Sequence, residues 1–79
     1  MTYKILSTRQ IEETLITTVE YNFDGEIVLV DIPHFMPQNS QVIIDNIVSR
    51  SQSELARINA KNVISNIIND LNIGEENPL

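Results

Sequence analysis

His34 is the only histidine in the sequence, and Asp31 precedes it by three residues. An aspartate at this distance could orient the imidazole as a general base. The chain has no cysteine to act as a nucleophile, and it lacks the G-x-S-x-G pattern of many serine hydrolases. We therefore interpret His34 as a loop histidine with a local hydrogen bond, and we expect no catalytic residue.

Two carboxylate pairs, Glu12-Glu13 and Glu75-Glu76, are the other candidates for chemistry. Adjacent residues of a strand point to opposite faces, so the first pair would not converge on one ion or substrate. The second pair belongs to a C-terminal tail. The two glycines, Gly25 and Gly74, suit a turn and a helix end and do not form a phosphate-binding loop. We predict no metal site, no cofactor and no enzymatic activity.

The composition is that of one small acidic domain. The 79 residues carry a formal net charge of −6, whereas nucleic-acid binding normally needs a basic surface. No run approaches the roughly 20 apolar residues of a membrane span, and the N-terminus lacks the apolar segment of a signal peptide. We expect a soluble domain over residues 1–73 and a flexible acidic tail over 74–79, with no nucleic-acid or membrane partner. Since disulfides are excluded, self-association is the remaining common way to stabilise so small a domain.

The dipeptide Asp24-Gly25 predicts a β-hairpin, because both central residues of a type I′ turn have positive φ. A two-residue loop pairs Phe23 with Glu26 and, further along, Thr17 with Ile32. The face expected to form the core then holds Leu15, Thr17, Val19, Tyr21, Phe23, Val28, Val30 and Ile32. The opposite face is more polar but includes Ile16, Ile27 and Leu29. These three are either isolated surface residues or part of a contact with another chain.

A third strand is expected over Tyr3–Thr8, because a lone hairpin is marginally stable in water. The following residues 9–13 form either a connection or an extension of a neighbouring strand.

Pro33 is expected to end the second hairpin strand, because proline cannot donate a hydrogen bond to the ladder. Residues 33–37 then form a connector. Its Phe35 and Met36 either plug the end of the core, which we favour, or form a recognition loop. Asn39 and Ser40, which follow it, are both suitable helix N-caps.

Residues 41–72 contain no glycine or proline and predict a long C-terminal helix. At about 100° per residue, its apolar positions fall into two stripes on roughly opposite sides. The early stripe consists of Ile43, Ile44, Ile47, Val48, Ser51, Leu55 and Ile58. The late stripe begins at Ala56 and continues through Ala60, Val63, Ile64, Ile67, Ile68 and Leu71. A straight helix cannot turn both stripes toward one core.

Two arrangements would resolve this conflict. Ser51-Gln52-Ser53-Glu54 matches the S-x-x-E capping box, which would start a second helix. Alternatively, one long or slightly bent helix packs its early stripe on the sheet and its late stripe on a partner chain. We favour the continuous helix, because residues 59–62 lack turn chemistry. The predicted oligomer interface is then Ala60, Val63, Ile64, Ile67, Ile68 and Leu71.

The segments Ile32–Pro37 and Ile47–Glu54 carry a His-Phe-x-Pro connector and an Arg-x-x-x-Glu helix segment. With the hairpin before them, they make residues 2–60 resemble small uncharacterised proteins of marine tailed bacteriophages. The resemblance implies a virion or phage accessory protein, located in the virion or the host cytoplasm. It implies no catalytic or binding residues.

The sequence thus predicts an α+β fold in which a two- or three-stranded antiparallel sheet precedes a long C-terminal helix. The expected function is that of a non-enzymatic, cytoplasmic, self-associating structural or assembly component. The alternative is an acidic adaptor or inhibitor that binds a basic protein partner.

Overall fold

The computed structural model describes residues 1–71 and 73–79, and it has the predicted α+β fold. Three antiparallel strands, β1 (Thr2–Ile11), β2 (Thr14–Phe23) and β3 (Glu26–Phe35), form one sheet in the order β1-β2-β3. A single helix, α1 (Ser40–Asp70), follows them. Asn72, where the sequence placed the approximate end of the helix, lies outside the described residues.

The hairpin between β2 and β3 has the predicted turn and register. Asp24 and Gly25 have φ values of 55° and 101°, as a type I′ turn requires. The Asn22 side chain accepts a hydrogen bond from the Gly25 N–H at 2.8 Å. Phe23 pairs with Glu26 and Thr17 with Ile32, so the expected core face is correct.

The core lies between this face of the sheet and the first half of α1. Its buried apolar residues come from β2, β3 and the helix: Val19, Tyr21, Phe23, Ile32, Ile43 and Ile47. Tyr21 also donates a hydrogen bond from its hydroxyl to the Ile47 carbonyl oxygen at 2.6 Å. One side chain of the central strand therefore joins sheet and helix by both packing and a polar contact.

The end of β3 differs from the sequence prediction. The strand continues through Pro33 to Phe35, because β3 is an edge strand, where a missing N–H costs no ladder hydrogen bond. The alternation of side chains then turns His34 inward and Phe35 outward. Phe35 and Met36 are 73% and 61% exposed, so the prediction that they plug the core is wrong.

Helix α1 is continuous, and the capping-box interpretation of Ser51–Glu54 is wrong. Helix α1 begins at the predicted cap Asn39, whose side-chain oxygen accepts a hydrogen bond from the Val42 N–H at 3.0 Å. Ser51 lies within the helix and donates its hydroxyl proton to the Val48 carbonyl. Its side chain is therefore occupied inside the helix and caps no new one.

The helix packs over β2 and β3 and, among the described residues, makes no comparable contact with β1. From the early stripe, Ile43 and Ile47 are buried and Leu55 and Ile58 are partly buried. All ten residues of β1 are exposed. The sheet is therefore covered on only part of its core face.

Replacing Ile47 by alanine tests this packing. Ile47 is fully buried, and Ile→Ala changes at such sites cost about 2–5 kcal/mol of unfolding free energy. Ile44, three residues earlier and 36% exposed, provides the matched control. Urea denaturation should show a much larger loss for Ile47→Ala than for Ile44→Ala. Equal losses would contradict the orientation of the helix.

Candidate interaction surface

The second half of α1 extends beyond the sheet. Every residue from 59 to 70 is exposed, while the longest dimension of the molecule is 60 Å. A 31-residue helix spans about 46 Å, whereas a ten-residue strand spans only about 33 Å. The sheet is thus too short to cover the whole helix.

The predicted interface residues lie together on this projecting segment. Ala60 is exposed, and the five large apolar residues Val63, Ile64, Ile67, Ile68 and Leu71 are between 51% and 59% exposed. Single exposed apolar residues are ordinary, but a contiguous apolar patch is typical of an interaction site. The structure therefore leaves the late stripe as an uncovered apolar surface.

The opposite side of the same segment is polar and uncharged. Asn62, Ser65 and Asn69 lie there by helical periodicity, and Ser65 donates its hydroxyl proton to the Lys61 carbonyl at 3.1 Å. Asparagine and serine are modest helix formers, and helical stability in proteins comes mostly from packing of an apolar face. This half of α1 has neither strong propensity nor tertiary packing within its own chain.

Charge is divided unevenly along the chain. Residues 1–55 contain three basic and eight acidic residues, a formal charge of −5. Residues 56–71 contain Arg57, Lys61 and Asp70, a formal charge of +1. The late stripe therefore lies on the segment of the chain that is free of the overall negative charge.

Glu54 lies in the last part of α1 that packs on the sheet. It is only 4% exposed, and its Oε1 accepts from Arg50 Nε at 3.0 Å and Arg57 Nη1 at 3.4 Å. Paired guanidinium groups compensate much of the cost of burying a carboxylate. The capping-box interpretation gives Glu54 a different role and misses this cluster, although the arginines four residues before it and three after it are a visible signal of ion pairs on one helix face.

His34 is buried in the core and is not a loop residue, which corrects the sequence interpretation. It is 2% exposed, with Nε2 2.9 Å from Thr17 Oγ1 and Nδ1 2.9 Å from Asn46 Nδ2. The neutral tautomer with its proton on Nε2 accepts from the Asn46 amide and donates to the threonine hydroxyl. Burial lowers the pKa of His34 because it disfavours the charged ring.

Asp31 does not orient His34. It lies on the outer face of the sheet, where the Thr18 hydroxyl donates to its Oδ1 at 2.7 Å and Arg9 lies 3.5 Å from Oδ2. The Thr18 hydrogen bond, followed by the Arg9 charge, lowers the pKa of Asp31. Both His34 nitrogens have hydrogen-bond partners, Thr17 on β2 and Asn46 on α1, so the ring connects β2, β3 and α1.

The first carboxylate pair lines an open cleft of about 630 Å³ at one end of the sheet. Glu12 and Glu13 form the turn between β1 and β2, opposite Met36 and Pro37. Met36 donates its backbone N–H to the Glu13 carbonyl at 2.8 Å. Within the described part of the chain, no three histidine, cysteine, aspartate or glutamate side chains are grouped so as to hold a metal ion.

Comparisons with known proteins give no relative. No protein-family model matches the chain, and neither a curated protein nor a solved structure is significantly similar to it. No helix in residues 1–71 and 73–79 has both the length and the apolarity to cross a membrane.

The His34 network predicts a loss of stability between pH 7 and pH 5.5. A histidine whose pKa is lower in the folded state binds its proton more readily when unfolded, so stability is complete above the unfolded pKa and falls as the pH drops. One such group can lower the free energy of unfolding by at most about 1.4 kcal/mol per pH unit. Urea midpoints should fall over this range, and His34→Gln should remove most of the fall. If the urea midpoint of His34→Gln falls as much as that of the wild type, titration of other groups causes the loss of stability.

Proposed function

We propose that this protein is a self-associating structural or assembly component whose late stripe packs on a second copy of the chain. The observation that carries the proposal is the exposure of Val63, Ile64, Ile67, Ile68 and Leu71 on a helix segment that its own sheet cannot reach. The resemblance to small proteins of marine tailed bacteriophages extends the proposal to a virion or phage accessory role.

The charge pattern favours another copy over a lipid surface. Helices that lie on membranes carry many lysines and arginines on their polar face, whereas the polar face of this segment is built from Asn62, Ser65 and Asn69. With a formal charge of +1 on residues 56–71, the segment can approach an acidic copy of the chain without like-charge repulsion.

The energetics require an apolar partner surface. Full burial of a valine, leucine or isoleucine side chain contributes about 1.5–3 kcal/mol, and these five side chains are only about half covered. About 1 kcal/mol each, or about 5 kcal/mol per helix, remains to be gained. Association costs about 4–15 kcal/mol, so stable assembly needs similar apolar burial on the receiving surface.

The solution mass tests the proposal. The chain has a mass of 9.0 kDa, and light scattering at micromolar concentration should give at least twice that value. Charges placed in the stripe by Ile64→Glu with Ile67→Glu should reduce the mass to that of the monomer, because both carboxylates would have to be buried at the contact.

Asn62→Glu with Asn69→Glu is the control, since it adds the same charge to the opposite side of the same segment. This variant should keep the wild-type mass. A wild-type chain that stays at 9.0 kDa, or a control that dissociates as readily as the stripe variant, would contradict the proposal.

A further inference from the structure

A second uncovered apolar surface lies on the core side of the molecule, between α1 and β1. Tyr3 pairs with Tyr21 and Ile5 with Val19, so both β1 side chains continue the core face of the sheet beyond the edge of the helix. They remain 41% and 42% exposed. The core face therefore extends one strand farther than the helix that covers it.

This uncovered strip forms a groove of about 340 Å³. The β1–α1 groove is bounded on the sheet side by Tyr3, Tyr21 and Phe23, and on the helix side by Val48 and Leu55. Val48 is 48% exposed, although it belongs to the early stripe. Aromatic and aliphatic side chains thus line both walls, as in a groove that receives an apolar helix face.

We propose that the β1–α1 groove receives the late stripe of a second copy of this chain. This inference rests on the proposed function and adds the surface that the stripe contacts. The groove belongs to residues 1–55, whose formal charge is −5, whereas the stripe belongs to residues 56–71, whose formal charge is +1. The net charges of the two segments are opposite in sign, which favours the approach of one segment to the other.

Pairing of one late stripe with another is less favourable, because it leaves the β1–α1 groove uncovered. In a parallel arrangement it would place Arg57 and Lys61 of one copy beside the same residues of the other. It would also leave Tyr3, Ile5 and Val48 exposed in both copies. The contact between stripe and groove covers both apolar surfaces at once.

The proposed contact joins two different surfaces, and each copy offers one stripe and one groove. Two copies can therefore exchange both contacts in a two-fold dimer, or several copies can associate head to tail in a ring or filament. A copy with a defective stripe and a copy with a defective groove should therefore be complementary. Between them they retain one complete contact.

Complementation is the deciding experiment. Ile64→Glu with Ile67→Glu disables the stripe, and Val48→Lys or, separately, Tyr3→Lys disables the groove. Val42→Lys, at another exposed helix position (37% exposed), is the control for the added charge. Circular dichroism and urea unfolding establish that each variant is folded before its mass is measured by light scattering.

The expected result is that each disabled variant alone has the monomer mass, whereas an equimolar mixture of a stripe variant and a groove variant contains a 1:1 complex. Val42→Lys should assemble like the wild type. If both folded groove variants assemble like the wild type, the groove is not the receiving surface, although self-association through the stripe stands. If the two kinds of variant are monomeric but do not combine, the contact between stripe and groove is likewise overturned. A monomeric wild type would overturn the proposed function itself.

Cysteine cross-linking tests the same contact without adding charge. The chain has no native cysteine, so Val48→Cys and Ile67→Cys each provide a single reactive site. A short bis-maleimide should link a Val48→Cys chain to an Ile67→Cys chain at least several-fold faster than to an Asn62→Cys chain. Equal rates, or faster linking of two Ile67→Cys chains to each other, would contradict docking in the groove.

Discussion

The length of the helix relative to the sheet is the constraint on which the rest of the structure depends. Helix α1 spans about 46 Å and the strands about 33 Å, so the sheet covers only the first part of the helix. The helix is attached there by Ile43 and Ile47, and by the Tyr21 hydroxyl on the Ile47 carbonyl. Residues 59–70 of the helix extend beyond the sheet and are all exposed.

Buried polar groups determine how the two layers are joined. His34 links β3 to Thr17 on β2 and Asn46 on α1, and Glu54 is held by Arg50 and Arg57 in the last part of the helix that packs on the sheet. No buried side-chain nitrogen or oxygen in the described part of the chain lacks a hydrogen-bond partner. Since an unpaired buried polar group costs more than a lost contact, these networks favour one position of the helix on the sheet.

That position leaves two apolar surfaces uncovered, the late stripe and the β1–α1 groove. They have a common origin, because a single helix placed over β2 and β3 can neither reach β1 nor bury its own distal half. A small domain has little stability to spare. In the proposed assembly, a second copy of the chain covers the two apolar surfaces that one copy leaves exposed.

The sequence by itself determined the β2–β3 hairpin, its local pairing and the presence of a long helical segment after it. The Asp24-Gly25 turn specified the hairpin register, and alternation specified the core face, because both depend only on neighbouring residues. Helical periodicity likewise separated the early and late stripes.

Only the tertiary structure determined the placement of residues whose partners are distant in the sequence. Pro33 continues a strand because β3 is an edge, which depends on strand order. His34 is buried because Thr17 and Asn46 satisfy both ring nitrogens, and Glu54 is buried because the helix turns it toward the sheet between two arginines. The α1 position over β2 and β3 also exposed the groove beside β1, which no local pattern in the sequence indicated.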